Sequence, residues 1–313
     1  MLENLLAHRY RIIELIGEGG IGVVYKANDL STGQEVAIKF LVQEQTADEQ
    51  MQQMRQRYFE REIAILRKIR HPSIIALLDS GFTRVGLPYF VMEYFHGRTL
   101  AEMIEAGGPL FVGRAFRILQ QVCSALNYIH QNGTIHRDLK PENILILEEM
   151  QKDEVRLIDF GIAKMLGGSE QGPFMPITQI GNIVGTVDYL APEQWEDGEL
   201  DQRTDIYALG LVAFEMLTGS HPFRTDSLAI TMSKHLNEEP PPPSSLNPEL
   251  PIMLDEVILR SIAKEKTQRQ ATTIEFLTEF ENVLADIYRR SLSYLSNPAT
   301  ETLSFELGAE DET

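Results

Sequence analysis

The sequence predicts an α+β fold in two lobes: a small antiparallel β-sheet lobe with one main helix, then a larger, mainly helical lobe. Three observations predict it. Residues 10–42 are short β-branched and aromatic runs punctuated by glycine. One long helical pattern, 46–70, interrupts the β-like runs. From Leu100 onward helical spacing dominates. Strands first and helices afterwards is segregation, not βαβ alternation.

YRIIELIGEGG, GVVYKAND and EVAIKFLV read as three strands joined by tight turns, with Ser31-Thr32-Gly33 as one turn. The next segment places Met51, Met54, Tyr58, Ile63, Leu66 and Ile69 at helical spacing, and His71-Pro72 stops it. IIALLDSG and LPYFVMEYF then read as two more strands. Composition shifts around Gly97, and helices are expected over 99–106, 114–132, 202–218, 225–237, 251–263 and 272–290. EEPPPPSSLNPELP (238–251) reads as a stiff surface connector. The expected division is a first lobe over 1–95, a second over 96–290, and an acidic, flexible tail over 291–313.

The chain has 313 residues, 43% hydrophobic and 24% charged, ordinary for a globular protein. Its formal net charge of -18 argues against nucleic acid as a partner and against a basic membrane-docking patch. A single cysteine, Cys123, excludes an internal disulfide and a Cys-based zinc site; its helical, apolar setting reads as a buried thiol. MLENLLAHRY lacks the basic start and apolar run of a secretory signal. No stretch approaches the roughly 18 apolar residues of a membrane span, and IYALGLVAFEML reads as a buried helix. A cytoplasmic location is expected.

The chemistry concentrates in IHRDLKPENIL, residues 135–145. Ionisable and amide side chains lie there between apolar anchors, Ile135, Ile144 and Leu145. A core strand would not accept Asp138 and Lys140 without partners or a task. Farther back, Gly17-x-Gly19-x-x-Gly22-x-Val24 is followed by a strand rather than a helix, so it does not fit a dinucleotide fold. A side-chain-free hairpin tip can still donate backbone N–H groups to phosphates. Lys39 sits among apolar neighbours in EVAIKFL and needs a carboxylate partner if it points inward. The 46–70 helix offers Glu60 and Glu62, and a Lys39–Glu62 pair is expected. Asp138, Lys140, Asn143 and Asp159 are the residue types phosphoryl transfer uses: oxygen ligands for Mg²⁺ and a carboxylate to orient a hydroxyl.

GEGGIGVVYKA, VAIK, HRDLKPEN, DFG, GTVDYLAPEQ and TDIYALG stand in this order over residues 10–290. In them the chain resembles the eukaryotic-type protein kinase superfamily, most of all its bacterial Ser/Thr kinases. The resemblance implies the two-lobed protein kinase fold and transfer of the γ-phosphate of ATP to Ser/Thr hydroxyls of proteins, with Mg²⁺, or Mn²⁺ in its place. It implies that Gly17, Glu18, Gly19, Gly20 and Gly22 cover the phosphates and that Val24 and Ala37 cap the adenine. Met92 resembles the gatekeeper, Glu93, Tyr94 and Phe95 the hinge, and Leu145 the lower wall of the adenine pocket. Lys39 would hold the α/β-phosphates, Asp138 orient the hydroxyl, Lys140 neutralise the moving phosphoryl group, and Asn143 and Asp159 hold the metal. Leu66, Leu77, His136 and Phe160 would form the hydrophobic column between lobes, with Asp205 at its base, and Glu193 would pair with Arg269. The run before Arg269, AKEKTQR, lacks the Asp-Pro common in the superfamily, and the hairpin LEEMQKDEV is longer than in many members.

Arg137 would bind a phosphate on the activation segment, ordering it through charge-assisted pairing. Thr178, with Ser169 second, is the expected autophosphorylation site, and a dimer would permit the reaction in trans. Thr186 is expected to dock substrate. The alternative class is a catalytically inactive pseudokinase scaffold. Such proteins typically lack the lysine or one of the aspartates, and Lys39, Asp138 and Asp159 are all present here.

Overall fold

A computed structural model describes residues 5–19, 22–41, 63, 66–149, 152–159, 187–196 and 198–295, the last five of these by backbone alone. The first lobe is a six-stranded antiparallel sheet of β1 (Leu5–Leu6), β2 (Tyr10–Gly19), β3 (Gly22–Asp29), β4 (Glu35–Leu41), β5 (Leu77–Phe82) and β6 (Pro88–Glu93). Its strand order is β1-β2-β3-β4-β6-β5. β4 sits between β3 and β6, so Val36, Ala37, Ile38 and Lys39 are all buried whichever face they take. This is why EVAIKFL lacks a clean polar alternation. Asp29 shapes the turn after β3 by accepting from Ser31 N at 2.9 Å, and Arg9 forks onto the same carboxylate at 2.8 and 2.7 Å. The guanidinium holds that carboxyl far below the usual range.

The predicted 46–70 helix lies mostly outside the described residues; Ile63 and Leu66 are helical and buried. In the second lobe the long helices are Leu100–Gly107, Val112–Gln131, Gln202–Thr218, Leu228–Asn237, Met253–Ser261 and Thr273–Leu295. Their ends are set by local chemistry. Thr99 and Glu102 form a reciprocal capping box, with Glu102 N to Thr99 Oγ1 at 3.1 Å and Thr99 N to Glu102 Oε2 at 2.8 Å. Asp201 caps Gln202–Thr218 through Arg203 N. That helix is buried from Thr204 through Leu217, as expected for IYALGLVAFEML. Cys123 is fully buried, and burial raises its thiol well above the ordinary range. Among the described residues no helix is long and apolar enough to cross a membrane.

A second, three-stranded sheet joins the lobes: β7 (Arg98–Thr99), β8 (Ile144–Glu149) and β9 (Lys152–Leu157), in order β7-β8-β9. The bridge Ile74–Leu157 ties β9 back to the first lobe. One apolar cluster runs from Leu41, Leu66, Leu77 and Phe90 through Val122 and Leu211 to Phe276 and Phe280. Both lobes therefore share a core that closes directly behind the cleft.

The proline-rich stretch lies at the surface, as expected of a stiff connector, but it is also docked by specific contacts. Pro240, Pro243 and Leu250 are buried, and Pro243–Leu246 form a short helix. Ser244 donates N–H and hydroxyl to Asp255 at 2.8 and 2.5 Å, and Asn247 Nδ2 donates to Leu217 O at 2.8 Å. Prolines carry no rotamer freedom to lose, so a tightly docked segment suits them.

An aromatic nest beneath residues 187–190 holds buried His235 and partly buried His221. His235 lies 5.0 Å from Phe223 and 6.1 Å from His221 between ring centroids, and its Nδ1 is 2.9 Å from the Tyr207 hydroxyl. Lys264 Nζ caps Phe223 at 4.1 Å. Burial, then Lys264, pushes His235 down to about 3; burial, then Arg224, pushes His221 well below its ordinary value. Both rings take up protons more readily unfolded than folded, so stability is greatest above about pH 6.5 and is lost as pH falls toward 3. At pH 5 the His235 ring contributes about 2 kcal/mol of that loss. Thermal melts are expected to show a drop on going from pH 7.5 to 5 that His235→Gln makes shallower. An equal drop in the variant would exclude His235 as a cause.

Candidate active site

Asp205, in the first turn of Gln202–Thr218, organises the loop that follows Val112–Gln131. Its Oδ2 accepts from His136 N at 2.8 Å and lies 2.7 Å from His130 Nε2; its Oδ1 accepts from Arg137 N at 2.8 Å. A buried carboxylate is satisfied by backbone donors that would otherwise be orphaned. Arg137 has φ +65°, a left-handed conformation that a non-glycine residue holds only under external constraint. The constraint comes from Asp205 on its N–H and from Gln194 Nε2 on its carbonyl at 3.3 Å.

This turn points the next residues into one cluster. Asn143 Nδ2 donates to Asp138 O at 2.7 Å and to Asp138 Oδ2 at 3.0 Å. Lys140 Nζ lies 3.2 Å from the same Oδ2. The turn Pro141–Asn143 closes with Asn143 N to Lys140 O at 2.9 Å, and buried Ile144 starts β8 immediately after. Of the three expected anchors Ile144 is buried, while Ile135 and Leu145 are partly exposed; buried Leu139 supplies the second apolar hold on the polar loop. With the Asn143 amide nitrogen committed to Asp138, its oxygen is the atom left to face a cation.

Asp159 enters from β9. Ile158 N donates to Asn143 O at 3.0 Å, so the two chains run side by side, and Asp159 itself has φ +55°. Lys39 Nζ reaches from β4 to Asp159 Oδ2 at 2.6 Å. The carboxylate found for Lys39 is therefore Asp159; the expected partner, Glu62, lies outside the described residues. An amide oxygen and a carboxylate are ligands that suit Mg²⁺, which keeps several positions for phosphate and water. Among the described residues no group of three or more His, Cys, Asp or Glu forms a metal cage.

In the first lobe, Gly17 pairs Val24, Glu18 pairs Val23 and Gly19 pairs Gly22, making a hairpin over the cleft; Gly20 is outside the described residues. Gly22 has a packing reason of its own: a Cβ there would sit 2.0 Å from Phe40 O. Val24 faces Lys39 in register, and Ala37 faces Met92. Met92 also pairs Leu77 and packs against the shared core. Leu145 lies on β8, opposite Thr99 and Arg156, partly exposed between buried Ile144 and Ile146.

Of the expected column, Leu66, Leu77 and His136 are buried; Phe160 lies outside the described residues. Burial lowers His136 below its ordinary pKa. The activation-segment residues Ser169, Thr178 and Thr186 also lie outside them. Glu193 meets Arg269 in a fork, Oε1 to Nη1 at 2.8 Å and Oε2 to Nη2 at 2.9 Å. Sequence reasoning missed Gln194, whose side chain joins Arg137 O to Ala191 N. Its position after APE in YLAPEQ was visible, but its two partners were not.

Residues 10–277 match the protein kinase domain family. The chain is 38% identical over 281 residues to the serine/threonine-protein kinase pkn3 of Myxococcus xanthus, covering 89% of this chain and 50% of that protein. It is 37% identical over 317 residues to the serine/threonine-protein kinase PknB of Mycobacterium tuberculosis, covering 95% and 49%. The chain thus spans about half the length of the curated relatives it matches. The crystal structure of the Mycobacterium tuberculosis PknI kinase domain superposes with a TM-score of 0.66 at 26% identity, covering 89% of this chain and 97% of that one.

Proposed function

We propose, on the premise that this chain belongs to the protein kinase family, that it transfers the γ-phosphoryl group of Mg·ATP to Ser and Thr hydroxyls of proteins. The observation that carries the proposal is the cluster of Asp138, Lys140 and Asn143 facing the Lys39–Asp159 pair. Asp138 would accept the hydroxyl proton, its Oδ2 lying 3.0 Å from Asn143 Nδ2 and 3.2 Å from Lys140 Nζ. Lys140 stands beside it to neutralise charge as the phosphoryl group moves. Lys39 is placed to hold the α/β-phosphates once it leaves Asp159. Asn143 and Asp159 would hold the divalent ion, which neutralises phosphate charge when bound. Little covalent chemistry is asked of the protein, so placement of these groups supplies most of the rate.

Regulation follows the same charges. Arg137 would receive a phosphate formed on Thr178, or on Ser169, and a transient dimer would form it in trans. The work is assigned to the cytoplasm, where ATP is available and a lone buried thiol stays reduced.

Incubation of the purified chain with γ-labelled ATP, Mg²⁺ or Mn²⁺ and a Ser/Thr peptide is expected to yield acid-stable phosphate on the peptide. Mass spectrometry is expected to find phosphate on Thr178 of the chain. Nucleotide binding with no transfer to any hydroxyl would instead identify a scaffold.

A further inference from the structure

We propose that Arg156 and Lys26 are positioning residues for the nucleotide, fixing the direction of residues 93–95 from one lobe each. The inference rests on the reading of these residues as the segment that meets adenine. Residues 94–97 run between β6 and β7 outside both sheets, so no strand ladder orients them. A segment whose backbone must present donors and acceptors to a flat base needs some other restraint.

Side-chain cations supply it. Arg156 Nε lies 3.2 Å from Glu93 Oε1, and the same guanidinium lies 4.9 Å from the centroid of the Phe95 ring. One planar group thus grips two residues of the segment, through its edge and through its face. Arg156 Nη1 is tied to Val155 O at 3.2 Å, so the grip is anchored to β9. In register Arg156 faces Leu145, the residue assigned to the floor of the adenine pocket.

From the first lobe, Lys26 Nζ lies 4.5 Å over the Tyr94 ring and 2.6 Å from Glu35 Oε1. Glu35 Oε2 is 3.1 Å from His96 Nε2, and the His96 ring meets Tyr94 edge-on at 4.7 Å. Behind them the chain is pressed onto β8: a Cβ on Gly97 would lie 2.7 Å from Ile146 O. Neither cation is in the expected catalytic set, and both are held by long-range contacts.

The test compares wild type with Arg156→Ala, Arg156→Lys and Lys26→Ala by steady-state kinetics, with adenosine and inorganic tripolyphosphate as competing inhibitors. KM for ATP is expected to rise about fivefold in Arg156→Ala, with kcat within twofold, as partly exposed ionic and cation–π contacts allow. Arg156→Lys keeps the Glu93 pair but loses the flat stack, and falls between. Adenosine inhibition weakens in step with KM while tripolyphosphate inhibition holds, a split that general loss of structure would not give. Unchanged KM in both alanine variants, or equal weakening toward both inhibitors, overturns the proposal. If Arg156→Ala does not fold, Arg156→Lys and Lys26→Ala decide by the same inhibitor split. Wild type that binds no Mg·ATP removes the kinase reading itself, a result distinguishable from wild type and variants binding alike.

Discussion

Asp138→Asn is expected to lower kcat by about 10³-fold while Mg·ATP affinity stays within about threefold. The carboxylate is buried, is braced by Asn143 Nδ2 at 3.0 Å and faces Lys140 Nζ at 3.2 Å. The amide keeps the shape but cannot accept the proton of an incoming hydroxyl. General-base removal typically lowers rates 10²- to 10⁴-fold. On the proposed reading, nucleotide affinity rests on Lys39, Asp159 and residues 93–95 rather than on Asp138. Single-turnover transfer, with nucleotide binding measured separately, checks both halves. Turnover within tenfold of wild type would remove Asp138 from its assigned role.

Glu193→Gln is expected to destabilise the fold by about 3–5 kcal/mol, because it leaves a buried cation unpaired. Arg269 is among the largest fully buried side chains. All five of its guanidinium N–H groups have acceptors: Ala263 O at 2.8 Å, Arg203 O at 3.1 Å, Lys264 O at 3.0 Å, and Glu193 Oε1 and Oε2 at 2.8 and 2.9 Å. It also stacks over Tyr207 at 4.7 Å. Three carbonyls accept hydrogen bonds but carry no net charge, so among the described residues Glu193 is the group that balances the guanidinium. Thr204 Oγ1, 3.0 Å from Glu193 Oε1, loses part of its partner as well. A urea midpoint for Glu193→Gln equal to wild type would show the charge to be balanced elsewhere.

Elements whose cause is local could be read from the sequence. β2, β3 and β4 announce themselves by β-branched runs between glycines, and Gln202–Thr218 by its continuous apolar run. IHRDLKPENIL showed its task because polar residues between apolar anchors are expensive unless used. Elements with a remote cause could not be read. The two-residue strand β7 exists only because β8 passes beside it. Pro243–Leu246 packs because Asp255 and the Leu217 carbonyl wait for Ser244 and Asn247. Lys39 plainly needed an acid, but EVAIKFL holds nothing that chooses between one on a neighbouring helix and Asp159, 120 positions later. Arg156 and Lys26 meet their aromatic rings only in the folded chain, from positions 61 and 68 residues away in sequence.

The contact between Lys39 and Asp159 makes the cleft self-neutralising before any ligand enters. A divalent ion arriving alone meets a carboxylate already matched to an ammonium, and a phosphate arriving alone meets an ammonium already matched to a carboxylate. Only a cation and an anion entering together can trade places with the resident pair without stranding either charge. If the pair serves Mg·ATP as proposed, the pocket is shielded against stray metal and stray phosphate and admits most readily the complex in which the two travel as one.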